Sequence, residues 1–241
     1  MFKLSSTEKY RSEVHIWMVD LNMEVDELPH FLSQDEWRRA EKYHHEKSRR
    51  TFLACRYALR KLLSSYTQLL PTELELVFNS HGKPALSPHQ NTIGLSFNLS
   101  HTDDLACIAI ASHMEVGVDI EEVKLLSEEM EEMIPTFMNQ QEINKFRSIR
   151  SNRELFFYHI WTQKEAVLKA MGTGLLSDPT VIKAHTTAHA AIRNLSLEGW
   201  VINTYAISSH ILAVCTKHEA QPLFFKFERD FIQKHLLFHH S

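Results

Sequence analysis

No two cysteines of this sequence lie close together: Cys55, Cys107 and Cys215 are widely spaced, odd in number and set among apolar residues. With no CxxC pair, neither a zinc site nor a disulfide framework is expected, and a reducing compartment fits. HExxH is missing, as is any other ligand spacing among the sixteen histidines, so these read as surface or packing groups. There is no run of 18 apolar residues, which excludes a membrane-spanning helix. The N-terminal MFKLSSTEKYRSEV has no apolar signal core, and without secretion the triplets at Asn98 and Asn194 mean nothing as glycosylation sites. Basic excess is lacking too. A net charge of −4 and a pI of about 6.5 argue against a general affinity for nucleic acid. What is present is an ordinary globular composition, 44% apolar and 23% charged. Its 241 residues suffice for one large domain or two small ones.

Periodicity gives an α+β order. VHIWMVDL (14–21) reads as a strand, and residues 33–48 and 49–66 carry helical spacing. Ser33 is placed to cap the first helix, with Asp35 and Glu36 complementing its dipole. ELELVFNS (73–80) alternates like a strand, and SHGKPAL (80–86) is a turn. GLSFNLSH (94–101), LACIAIAS (105–112) and EVGVDIE (115–121) are further strands, the last two joined by SHM in a spacing short enough for a hairpin. Ser127 starts an acidic helix that Pro135 should interrupt or restart, and residues 139–149 and 152–171 are helical, with Gly172 and Gly174 ending the second. WVINTYAI (200–207) and HILAVCT (210–216) pair through SS.

A weak internal repeat runs through this order. LSQDEWRRA (32–40) resembles MNQQEINKF (138–146), and FLACRYALRKLL (52–63) can be laid on IWTQKEAVLKAM (160–171). That register pairs Arg56 with Lys164, Ala58 with Ala166 and Lys61 with Lys169. The expected architecture is two similar α+β halves, residues 1–112 and 113–241, packed face to face with the active site in the cleft between them.

Chemistry concentrates at the end of an apolar strand. Alternation puts Asp119 and Glu121 on one face, with Val118 and Ile120 on the other. Two neighbouring carboxylates repel, more so when buried, and a divalent cation removes the conflict. Oxygen ligands without cysteine suit Mg2+; a solvated strand end is the plainer alternative. In FFYHIWTQKEAVLKAMGTGL (156–175), Phe157, Ile160, Trp161, Leu168 and Met171 form an apolar stripe, while Glu165 and Lys169 share another face at i,i+4. They are either a surface ion pair or a third metal ligand and a phosphate contact. Lys83, between Gly82 and Pro84, sits on a rigid turn from which it could reach a ligand.

At these residues the chain resembles the Sfp-type 4'-phosphopantetheinyl transferase superfamily. The likeness rests on GKP (82–84), FNLSH (97–101), GVDIE (117–121) and WTQKEAVLKAMGTGL (161–175), in that order and spacing. It implies a monomeric, Mg2+-dependent cytoplasmic enzyme that moves the phosphopantetheine arm of coenzyme A onto a serine of an acyl or peptidyl carrier protein, releasing 3',5'-ADP. By resemblance, Asp119, Glu121 and Glu165 are metal ligands, Glu165 is also the candidate base, and Lys169 contacts the phosphates. Lys83, Ser100, His101, Lys164 and Asp119 surround coenzyme A. Arg50 in SRRTFL fits the residue that meets the 3'-phosphate, with Arg56 as competitor and Arg38 or Arg39 as further contacts. Thr102 stands where serine is frequent. MIPTFM offers Met133, Phe137 and Met138 as a candidate docking patch for the carrier, with core packing the plainer reading. The rival readings are a Mg2+-dependent nuclease built on the acids and Lys124, and a non-catalytic binder of coenzyme A or carrier. Neither a membrane nor a nucleic-acid partner is expected.

Overall fold

The computed structural model describes residues 13–22, 31–172, 178–184, 195–197 and 199–228. Gly174 and Asn194 lie outside them. The chain order is β1 (Glu13–Asp20), α1 (Gln34–Ala40), α2 (Glu46–Thr67), β2 (Leu76–Phe78), β3 (Pro84–Leu86), β4 (Leu95–His101), β5 (Leu105–Ser112), β6 (Val116–Glu122), α3 (Glu128–Phe137), α4 (Gln140–Ser148), α5 (Arg153–Met171), β7 (Leu195–Leu197), β8 (Trp200–Ile207), β9 (His210–Thr216) and β10 (Gln221–Phe227). Two four-stranded sheets, β10-β1-β5-β4 and β6-β9-β8-β7, are accompanied by the β2–β3 hairpin.

The layers follow from alternation. Val14, Ile16 and Met18 of β1 face the second sheet and meet Val116, Val118 and Ile120 of β6 and Leu212 and Val214 of β9. Trp17 and Val19 point the other way, onto Leu59, Leu62 and Leu63 of α2. On the far side of the second sheet, Ala166, Val167 and Ala170 of α5 pack on Ala213 and Cys215 of β9. The stack is therefore α2, first sheet, second sheet, α5. Both sheets are covered on both faces, which is why LACIAIAS and HILAVCT run apolar without alternation. The fully buried Phe157, Ile160 and Val167 contribute on the order of 1.5–3 kcal/mol each.

The repeat is visible in the topology. β1 pairs antiparallel with β5 and β5 with β4; β6 pairs antiparallel with β9 and β9 with β8. Each half also has a short capped helix feeding a long one. Ser33 and Glu36 form a reciprocal capping box, as do Asn139 and Glu142. The same two glutamates then pair with the long helices: Glu36 with Arg60 Nε at 2.7 Å and Glu142 with Lys164 Nζ at 2.6 Å. These pairs correct the sequence register. Arg60, not Arg56, is the counterpart of Lys164, one helical turn along.

Three other expectations change. β5 and β6 do not form a hairpin: the short connection, with His113 at φ 54°, carries the chain from one sheet to the other. β10 returns to pair in parallel with β1, so the first sheet takes its edge strand from beyond residue 112. Pro135 lies inside α3 near its end without interrupting it.

Candidate active site

The two sheets meet closely beside β4 and β6, where Asn98 Oδ1 accepts the Val118 N–H at 3.0 Å. On β6, residues 117, 119 and 121 alternate toward α5. Gly117 makes the close approach possible. A Cβ there would fall 2.1 Å from the Ala166 carbonyl oxygen and 2.3 Å from the Ala170 nitrogen, so no larger residue fits. α5 answers with Trp161, Glu165 and Lys169, spaced i, i+4, i+8 along one face.

Asp119 is 2% exposed and sits at the centre. Its Oδ1 accepts from Lys169 Nζ at 2.6 Å and from Ser100 Oγ at 2.8 Å, and Lys169 also donates to Ser100 Oγ at 2.9 Å. Its Oδ2 is buried with no hydrogen-bond partner. Trp161 Nε1 donates to Glu121 Oε1 at 3.2 Å. Burial pushes the Glu121 carboxyl up to about 7; the charge of Asp119 adds to the rise, and Lys169 and the Trp161 N–H oppose it. Glu165 is raised as well, first by burial and then by Asp119, with Lys169 opposing. One ammonium thus faces three carboxyl groups. Oxygen donors, a surplus of negative charge and an orphaned buried carboxylate oxygen fit a hard divalent cation.

A cavity of about 290 Å3 opens beside this group, lined by His81, Lys83, Asn98, Glu165 and Lys169 among others. Lys83 Nζ is held by the Ala170 carbonyl at 2.8 Å and Glu115 Oε2 at 2.9 Å. A larger groove of about 700 Å3 continues past Lys83 and Gly172 to Val77 and Phe78.

The remaining expected residues are not gathered here. Lys164, although next to Glu165, is rotated about 100° around the helix. It is enclosed against Glu142 and the Phe137 carbonyl, where burial holds its ammonium below its ordinary value and Glu142 opposes that shift. Its ammonium is thus committed to that pair. His101 is exposed at the end of β4, with Nδ1 3.1 Å from the Thr102 carbonyl oxygen. Arg50 is exposed on α2. Arg56 lies over the Phe52 ring in a separate cavity of about 480 Å3 with Arg39 and Arg60. In MIPTFM, Phe137 and Met138 are core residues, the plainer of the two readings, while Met133 is exposed. Gly117 has no individual signal in the sequence, where Trp161 reads as part of an apolar stripe and Asn98 as a glycosylation triplet. Continuing the i,i+4 spacing back from Glu165 would have found Trp161.

Among the described residues, one group of three potential ligands is compact enough for an ion, and it is not the Asp119 group. Asp104, Glu122 and His210 bring ligand atoms within 4.8 Å of one another. They are tied up locally, His210 Nε2 lying 3.3 Å from Asp104 and Glu122 bonding Lys124 at 2.7 Å. Asp119, Glu121 and Glu165 do not bring their oxygens together to that degree, and Asp119 is instead bonded by the Lys169 ammonium at 2.6 Å.

Comparison with known proteins covers most of the chain. Residues 115–218 match the family model of the 4'-phosphopantetheinyl transferase superfamily, and residues 20–114 match that of the 4'-phosphopantetheinyl transferase N-terminal region. The 4'-phosphopantetheinyl transferase HetI of Nostoc is 34% identical over 167 residues, covering 68% of this chain and 70% of that protein. The L-aminoadipate-semialdehyde dehydrogenase-phosphopantetheinyl transferase of Schizosaccharomyces pombe is 31% identical over 63% of this chain and 64% of its own length. The 4'-phosphopantetheinyl transferase Sfp of Bacillus subtilis is 24% identical over 80% of this chain and 85% of its own.

Proposed function

The chain belongs to the 4'-phosphopantetheinyl transferase superfamily and is an enzyme of that type, and on that premise we propose how its own residues move the phosphopantetheine arm of coenzyme A onto a carrier-protein serine. Asp119, Glu121 and Glu165 would hold Mg2+, the unpartnered Asp119 Oδ2 being one available donor. Bound there, Mg2+ neutralises charge on the diphosphate oxygens of coenzyme A.

The side chains do the rest. Lys169 leaves its contact with Asp119 or shares it, and donates a charge-assisted hydrogen bond to the leaving phosphate oxygen as 3',5'-ADP departs. Ser100, already bonded to Lys169 and Asp119, keeps both in register. The Glu165 carboxylate accepts the proton of the incoming serine hydroxyl. Trp161 fixes the Glu121 carboxylate through its indole N–H. The diphosphate lies in the cavity bounded by Lys83, Asn98 and Lys169, and Arg39, Arg50 and Arg56 supply positive charge for the 3'-phosphate from the first half.

The observation that carries this reading is the Ser100–Asp119–Lys169 network with a bare carboxylate oxygen beside two further acids. To test it, the protein is incubated with coenzyme A, Mg2+ and a panel of apo-acyl and apo-peptidyl carrier proteins, and the carriers are weighed by mass spectrometry. A gain of one phosphopantetheine, with release of 3',5'-ADP and dependence on Mg2+, is expected. No gain on any carrier, with coenzyme A still bound, would instead mark a non-catalytic binder.

A further inference from the structure

The last turn of α5 carries Lys169, and its closing carbonyls have no partners within the helix. The Leu168 carbonyl is taken by the Gly172 N–H at 2.9 Å. The next groups are met from the other half of the molecule. Lys83 Nζ donates to the Ala170 carbonyl at 2.8 Å, and Asn79 Nδ2 donates to the Gly172 carbonyl at 2.9 Å. Both donors belong to the turn between β2 and β3. Lys169 is the one basic residue in the last turn of α5, and its side chain is committed to Asp119, so the positive charge that complements the helix dipole comes from Lys83 across the interface.

Asn79 is built for this contact. Its Oδ1 accepts from the backbone N–H groups of His81 and Lys83, both at 2.9 Å, which closes the turn and fixes the amide plane. The Nδ2 is then left facing α5. The fit is tight: a Cβ on Gly172 would lie 3.1 Å from Asn79 Nδ2 and 3.1 Å from Lys83 Cδ, and Gly172 has φ +68°. Turn and helix end are therefore locked in one register, three residues from the ammonium that contacts Asp119.

We propose that Asn79 is a positioning residue: by clamping the C-terminal carbonyl of α5 it sets where Lys169 stands relative to Asp119 and the bound diphosphate. This rests on the reading that Lys169 serves the transfer. The test uses Asn79→Ala and Asn79→Ser, the serine keeping an acceptor for the turn while being too short to reach Gly172. Amide hydrogen exchange at residues 170–172 should quicken at least tenfold, while the melting temperature stays near that of the wild type. With a carrier the wild type modifies, kcat should fall about tenfold and KM for coenzyme A should change less than threefold. In a Lys169→Ala background, adding Asn79→Ala should cost less than twofold more. An unchanged kcat in both variants, or the full tenfold loss persisting without Lys169, overturns the proposal. So does loss of folding in both, which would make Asn79 a folding residue. If Lys169→Ala alone transfers like the wild type, the functional reading of Lys169 fails instead, and unchanged exchange at 170–172 would separately refute the clamp.

Discussion

β1 and β6 occupy equivalent places in the two halves, each pairing with the second strand of a hairpin and each covered by a long helix. Toward that helix β1 presents His15, Trp17 and Val19, whereas β6 presents Gly117, Asp119 and Glu121. In the first half the space is filled: His15 Nδ1 and Trp17 Nε1 both bond the Tyr66 hydroxyl, at 2.6 and 3.0 Å, and Trp17 stacks on Phe225. In the second half the small residue draws α5 in and the acids meet Lys169. The same framework thus serves as an apolar core once and as a charged site once. The Glu36–Arg60 and Glu142–Lys164 pairs are common to both and belong to the framework.

This contrast can be broken experimentally. The largest effects should come from its central residues and be of opposite kinds. Trp17→Ala should cost about 3–5 kcal/mol of stability, read from chemical denaturation, with activity per folded molecule retained. Asp119→Ala should leave the denaturation midpoint close to wild type and lower transfer by about 100-fold or more, roughly 3 kcal/mol of transition-state stabilisation. A large loss of stability with normal turnover in Asp119→Ala would erase the distinction between the two strands. Gly117→Ala comes next. Because its new methyl meets helix backbone, it should force β6 and α5 apart, costing about 1–3 kcal/mol of stability together with a clear drop in kcat. Trp161→Phe keeps most of the packing and loses one hydrogen bond to a carboxylate, so a fall in kcat/KM of about tenfold is expected, about 1.4 kcal/mol.

The pH dependence gives a smaller and more specific sign. In the metal-free protein the Glu121 proton is held up to about 7, against an ordinary value of 4.5. The folded state therefore binds more protons than the unfolded state between those values, so this group's contribution to stability is present at low pH and lost as pH rises through 7. Denaturation midpoints at about pH 5 and about pH 8 should differ in the wild type, and Glu121→Gln should remove that part of the difference. An identical pH slope in both proteins would contradict a Glu121 carboxyl raised by burial and by Asp119.

Much of this was readable in the sequence because the signals were local. Alternation in β6 put Asp119 and Glu121 on one face, i,i+4 spacing joined Glu165 to Lys169, and Ser33 and Ser127 capped their helices as expected. The failures came where tertiary context decides. A short link between two apolar strands reads as a hairpin, but here one strand is needed in each sheet, and only packing says so. The repeat was aligned one turn out because helical pattern alone cannot distinguish Arg56 from Arg60; the buried glutamate can. Lys164 shares a motif with Glu165, yet adjacent helical residues diverge by about 100°, and here Lys164 turns to Glu142. The Asn79 clamp joins residues 93 positions apart and left no mark in any local pattern.

The most direct test of the central claim is where a divalent ion binds. Mn2+ in place of Mg2+, followed by electron paramagnetic resonance in the presence of coenzyme A, should show one tight site that is lost in Asp119→Ala and Glu165→Ala and retained in Asp104→Ala and His210→Ala. Binding that survives Asp119→Ala but disappears with Asp104 or His210 would place the ion at the other cluster and contradict the account.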